Sequence, residues 1–308
     1  MNKSFLKNIE GYIDLRRGLG FQVRRDKNLL HGFHDFLILK KATYITTILA
    51  LEFACLNPNV SRGQWEHRLM SIRRFATYMK TPDRRTEIPA SHLLPYTFKR
   101  TPPFIYSDKN IIDILQTCIA LKYKHELDHL TYYTLFGLIA VTGMRLSEAR
   151  GLKNESVNLE KGILTVRKSK FNKSRYLPLH PTTTGVLQEY QKHKVRLQFN
   201  SSIFFFVDEC GNQLKEHCIR KVFHQILIKI DLWKLPLQSR PKIMSFRHSF
   251  AVKVLTNWYR KGLNIDVHIP LLSTYLGHVL PSLTYWYLTG TNELLQLALR
   301  RLERSKGG

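Results

Sequence analysis

The sequence is short of acidic residues, of cysteine and of long apolar runs, and each shortage excludes something. Asp and Glu number 23 against 48 Lys and Arg, a formal net charge of +25 over 308 residues. An excess of that size brings self-repulsion, so it points to a polyanionic partner rather than to a merely basic surface. The four cysteines, Cys55, Cys118, Cys210 and Cys218, include no CxxC pair, and a chain this long needs no disulfide framework. A reduced, cytoplasmic protein is expected, nucleoid-associated if prokaryotic. The longest apolar stretches, such as Tyr133 to Met144, fall short of the ~20 residues that a membrane span needs. The first residues have no apolar core, so no signal peptide is expected. No internal repeat or low-complexity tract is present, which argues against a solenoid. What the chain does have is 44% hydrophobic residues, enough for real cores and too many for a disordered chain.

The length suggests about two domains. Residues 1–95 hold 16 basic and 8 acidic side chains and the remainder 32 and 15, so both parts are basic. The first part reads as helices. Trp65, Leu69, Ile72, Ala76 and Met79 recur at helical spacing, with Arg68, Arg73 and Arg74 largely off that stripe, as candidates for phosphate contacts. Thr43 to Cys55 is almost uniformly apolar and suits a helix buried in a small bundle. Five prolines between residues 81 and 104, among Arg84, Arg85, Lys99 and Arg100, read as a basic linker, with Lys99 and Arg100 as further candidates for phosphate contacts. The expected division is a helical domain over 1–95, a linker over 96–109 and a second domain over 110–308.

Helical patterning resumes at Asn110. Leu130 to Val141 is a strongly apolar helix stopped by Gly143, after which Ser147 offers a cap for the next helix. Residues 161–179 alternate around a polar turn and read as a β-hairpin with a basic tip. Further helices are expected near 183–195, 215–230, 245–258, 267–276 and 291–304, with a short buried strand or loop at Phe204 to Val207.

Four segments stand out together: TGMRLSEARGL (142–152), RKSKFNKSRYLPL (167–179), SFRHSFAVKVL (245–255) and LGHVLPSLTYWYL (276–288). In order and spacing they resemble the motifs of the tyrosine recombinases, or phage-type integrases. The resemblance covers roughly 105–308; the N-terminal helices are similar to that family's core-binding domain in position and class only. It implies a mainly α fold with a small β-hairpin or sheet: an α+β catalytic domain behind a helical, DNA-binding bundle, the two closing as a clamp on duplex DNA. Arg145 and Arg247 match the two family arginines, whose forked guanidiniums suit the non-bridging oxygens of a phosphate. Lys170, reckoned from Arg175-x-x-Pro178-Leu179, matches the hairpin lysine expected to protonate the leaving 5′-oxygen. Lys168 and Lys173 compete with it, and Lys173 and Arg175 are candidates for DNA contact. His278 is expected to hydrogen-bond the scissile phosphate. Tyr287, nine residues later, is expected to be the nucleophile that forms a 3′-phosphotyrosine bond, with Tyr285 as its rival. His248 follows Arg247 at a position that is often His in the family, and reads as structural.

One position departs from the pattern. Three residues before the second arginine the family usually has His, and here stands Met244, whose thioether can neither take a proton nor donate a hydrogen bond. The family's chemistry needs no metal and no cofactor. The resemblance further implies a homo-tetramer on two double-stranded DNA sites, sometimes with partner recombinases, and a C-terminal Leu-rich helix that docks on its own or a neighbouring subunit. A site-specific recombinase or integrase of a mobile element is the reading. A dimer resolvase or a tyrosine-type topoisomerase with the same chemistry, and a catalytically silent DNA-binding regulator, stay open beside it.

Overall fold

The computed structural model describes residues 2–21, 23–94, 102–167, 174–289 and 294–300. The chain divides into two compact units, Met1–Arg100 and Thr101–Gly308. Lys99, Arg100, Lys170 and Lys173 lie outside the described residues.

The first unit is a four-helix bundle: α1 (Asn2–Gly18), α2 (Arg24–Leu39), α3 (Thr47–Cys55) and α4 (Arg62–Met79). Its core gathers Ile9 and Ile13 of α1, Leu30, Phe33 and Leu37 of α2, and Leu69, Ile72, Phe75 and Ala76 of α4. The helical stripe of α4 is therefore buried from Leu69 onward, whereas Trp65 is half-buried and donates its indole N–H to Asn57 O at 2.9 Å. The apolar stretch expected from Thr43 is shorter and less buried than its composition suggests. Thr46 caps α3 by accepting from Leu49 N at 3.2 Å, so the helix starts at Thr47. Within α3 only Ala50 and Ala54 are buried, while Ile48 is 76% exposed. A run apolar on every side carries no period to choose a face; the small alanines allow close packing and decide it.

The described residues toward either end of the proline-rich stretch are held by hydrogen bonds and packing. Glu87 accepts from Thr47 N at 2.8 Å and its own N–H donates to Ile45 O at 2.8 Å, while the Lys80 ammonium holds Arg84 O and Thr86 O. On the far side, Tyr106 is buried, stacks on Phe246 at 4.7 Å and donates its N–H to Ser249 Oγ at 2.7 Å. Prolines stop helices without stopping a segment from packing through its carbonyls and side chains.

The second unit is helical with one small sheet. α5 (Asp108–Ala120) starts on a capping box between Ser107 and Asn110. α6 (Asp128–Thr142) is the central helix, with nine of its 15 residues buried, and ends at Gly143 in the left-handed conformation. α7 (Leu146–Arg150) follows at once, its N-cap being Arg145 rather than the expected Ser147. β1 (Val157–Asn158), β2 (Ile163–Val166) and β3 (Arg175–Pro178) form an antiparallel sheet in that order, which adds a strand to the expected hairpin. α8 (Pro181–Arg196), α9 (Glu216–Lys229), α10 (Ile243–Arg260) and α11 (Ile265–Leu276) lie close to their expected ranges. Phe205, Phe206 and Val207 are buried in a loop held by isolated bridges. α12 (Ser282–Tyr285) runs into a single 3-10 turn at Trp286–Thr289, and residues 294–300 are helical.

α10 joins two cores. Ile243 and Phe246 pack in the large cluster around Leu135, Phe136 and Ile226; Ala251, Val252 and Leu255 pack with Ile269, Leu276, Tyr287 and Leu294. Truncating a buried phenylalanine such as Phe246 typically costs about 3–5 kcal/mol, so the helix between the two cores is firmly set. Leu295 and Leu299 of the last helix are exposed. Among the described residues no helix is long and apolar enough to cross a membrane.

Candidate active site

α6 ends on a left-handed glycine at Gly143 (φ 63°), and α11 does so at Gly277 (φ 67°). Both positions need glycine. A Cβ on Gly143 would lie 2.6 Å from Phe250 Cδ1, and one on Gly277 would lie 3.0 Å from the Arg175 Nη1. The last carbonyls of a helix lack helical partners and sit at the negative end of its dipole, so they attract guanidinium groups. Arg247, buried on α10, donates from Nη1 to Gly143 O at 2.9 Å and from Nη2 to Leu276 O. Arg145 donates from Nη2 to Gly277 O at 3.1 Å. Two guanidiniums thus tie together the ends of α6 and α11.

Glu148 organises the cations. Its carboxylate accepts from Arg145 N at 2.9 Å, from Arg145 Nη1 at 2.8 Å, and from both terminal nitrogens of Arg175 at 3.1 and 2.8 Å. Burial by itself raises the Glu148 pKa, but the hydrogen bonds and charges of Arg175 and Arg145 outweigh it and hold the carboxyl below its ordinary value. Arg175 also donates Nε to Tyr275 O at 2.6 Å, and its side chain is 8% exposed. Arg175, expected as a candidate DNA contact, is thus held by Glu148 and the Tyr275 carbonyl. On β3 it pairs with Val166 and shares the inward face with Leu177, since residues two apart on a strand point the same way.

His278 follows Gly277 directly, and its Nδ1 is 2.7 Å from Thr284 Oγ1. Burial, then the charges of Arg247, Arg145 and Arg175, pull its pKa down to about 4. The imidazole is neutral at physiological pH. Burial and the neighbouring Arg145 bring Arg247 down to about 10, which leaves it protonated.

Tyr287 sits on the 3-10 turn, 3% exposed, with its ring stacked 6.1 Å from that of His278. Its Oη is 3.3 Å from His248 Nδ1. Tyr285, the rival, is 40% exposed and directs its hydroxyl to Asp266 at 3.4 Å. The fold thus brings Arg145, Arg247, His278 and Tyr287 together, and adds Glu148, Arg175 and His248. Lys170 lies outside the described residues. Met244 is on α10, 47% exposed. The Arg145–Glu148 spacing was a visible signal for the carboxylate; nothing local marks His248 as a neighbour of Tyr287.

The α4 arginines are not idle side chains. Arg68 approaches Ala54 O at 3.5 Å, Arg73 holds Pro89 O, and Arg74 donates to Ser71 Oγ at 2.9 Å with Asp26 at 3.8 Å.

A family model for phage integrases matches residues 107–293. The chain belongs to this family, the tyrosine recombinases, and by that membership is a site-specific recombinase that cleaves and rejoins DNA. Among individual proteins, it is 38% identical to the integrase/recombinase y4rB of Sinorhizobium fredii, over 98% of either chain. It is 28% identical to tyrosine recombinase XerC of Halalkalibacterium halodurans, over 82% of this chain and 77% of that one. Its fold is similar to the Tn1549 transposon integrase in complex with transposon right end DNA, with a TM-score of 0.65 at 15% identity over 96% of this chain and 98% of that one. It is also similar to the XerH recombinase bound to a palindromic difH substrate, with a TM-score of 0.62 at 19% identity over 90% and 77%.

Proposed function

We propose that this recombinase cuts and rejoins DNA through Tyr287, forming a 3′-phosphotyrosine bond and freeing a 5′-hydroxyl, and that it serves a mobile element. The observation that carries the chemistry is the convergence of Arg145, Arg247, His278 and Tyr287 on the two glycine turns. A guanidinium has five N–H donors, and the backbone carbonyls engage only some of them. The remainder of Arg145 and Arg247 would hold the non-bridging oxygens as negative charge builds on phosphorus. His278, neutral and fixed at Nδ1 by Thr284, would donate from Nε2 to the same phosphate. Lys170 would give its proton to the leaving 5′-oxygen. Glu148 and Arg175 would position Arg145 without touching DNA. The phosphodiester energy stays in the protein–DNA bond, so rejoining needs no nucleotide. Two such exchanges on two sites would involve four protomers and a Holliday junction. The mobile-element setting is supported by the full-length likeness to an integrase/recombinase.

The test is a nicked duplex carrying a site that this protein selects from a random pool, incubated in EDTA with wild type, Tyr287→Phe and Tyr285→Phe. A covalent protein–DNA band lost only in Tyr287→Phe is expected. Loss only in Tyr285→Phe would move the nucleophile two residues earlier. No band in wild type on bound DNA would favour the silent regulator. Relaxation of supercoiled DNA by a lone protomer would favour the topoisomerase.

A further inference from the structure

We propose that His248 is the proton acceptor for Tyr287 in this chain, taking over the part that Met244 cannot play. The inference rests on Tyr287 being the nucleophile. Residues 244 and 248 are one turn apart on α10, so they share a face of the helix. With a thioether at the first, the imidazole at the second meets the phenol: Nδ1 lies 3.3 Å from Tyr287 Oη, with ring centroids 5.5 Å apart. Trp286 packs edge-on against His248 at 5.5 Å and limits the ring's freedom. Lys242, another basic side chain near Met244, is exposed at the N-cap of α10, off that face. His278 is the poorer acceptor, since burial and three guanidiniums keep it neutral down to about pH 4 and its Nδ1 is engaged by Thr284.

The step balances as follows. Neutral His248, with its proton on Nε2, takes the Tyr287 hydroxyl proton at Nδ1 as the Oη–phosphorus bond forms. The bond from phosphorus to the 5′-oxygen breaks, and that oxygen leaves with a proton from the acid on the other side. On rejoining, the 5′-hydroxyl gives its proton to the conjugate base of that acid as its oxygen attacks phosphorus, the Oη–phosphorus bond breaks, and His248 returns its proton to the departing Tyr287 oxygen.

The experiment compares single-turnover cleavage by the full chain for wild type, His248→Asn, Tyr287→Phe and the double variant Met244→His/His248→Asn. Asparagine keeps a polar atom near the place of Nδ1 but has no useful proton affinity. His248→Asn is expected to slow covalent-complex formation by ~10²–10⁴-fold, the usual range for a lost general base. DNA binding should be unchanged, and the double variant should recover part of the rate, which a misfolded chain could not do. The defect should persist on a substrate with sulfur in place of the bridging 5′-oxygen, because that leaving group needs no acid. Cleavage by His248→Asn within about threefold of wild type would overturn the proposal. Full recovery on the sulfur substrate would also overturn it, by placing His248 on the leaving-group side. A covalent band surviving in Tyr287→Phe would overturn the nucleophile first, and His248 with it.

Discussion

The arginines of α4 and those at the glycine turns differ in what surrounds them. The Arg74 side chain is 41% exposed and 3.8 Å from Asp26, whereas Arg247 is 3% exposed and tied to two backbone carbonyls. An exposed guanidinium near a carboxylate is screened by water and salt and contributes under about 1 kcal/mol. A buried one is fixed in direction, and its charge acts through a medium of low dielectric. The first unit therefore holds charge that can follow a backbone, and the second holds charge aimed at one point. We expect that difference to separate affinity from chemistry.

Among variants that test this contrast, the largest effect should come from Arg247→Lys. The charge stays, but an ammonium cannot fork between Gly143 O and Leu276 O. We expect covalent-complex formation to fall by about 10²–10³-fold, the scale seen when one preorganised donor is removed. Quantified denaturing gels at saturating DNA measure it. Near-normal cleavage would mean that charge without geometry suffices, and the contrast between the two regions would fail.

Glu148→Gln should come next. It leaves Arg145 and Arg175 without their buried counter-charge, a change that costs about 3 kcal/mol by analogy with broken buried pairs. The Glu148 carboxyl is held below its ordinary value of 4.5, so its stabilisation is present above that pH and is lost as pH falls through the lowered value. Melting curves should show wild type well above Glu148→Gln at pH 7, with the gap closing as the pH falls below 4.5 and through the lowered value. A gap that does not change with pH would show that the carboxylate's charge is not what holds the cations.

The smallest effect should be that of Arg74→Ala. If α4 follows phosphates, the salt dependence of DNA binding should weaken by about one counterion. Cleavage at saturating DNA should be unchanged. A loss of cleavage there would tie the two regions together more closely than their surroundings suggest.

Much of the fold was legible because helices are local. The stripe of α4 and the strength of α6 are written in spacing, and Gly143 stops α6 through its own backbone freedom. Arg145, Arg247, His278 and Tyr287 were legible because each stands beside a fixed landmark. Lys170 rests on counting from such a landmark, and in Thr43 to Cys55 the helix is legible but its buried side is not, because uniform apolarity names no face.

What sequence alone determined, then, is the inventory: the basic balance, the order of the helices and the residue types required for transfer at phosphorus. Tertiary structure decided who meets whom. The Glu148–Arg175 pair spans 27 residues, His248 and Tyr287 lie 39 apart, and Arg145 finds Gly277 O across 132. No local spacing rule connects such partners. They meet because α10 lies between two cores and two left-handed glycines turn helix ends toward each other, where unpaired carbonyls and buried guanidiniums satisfy one another.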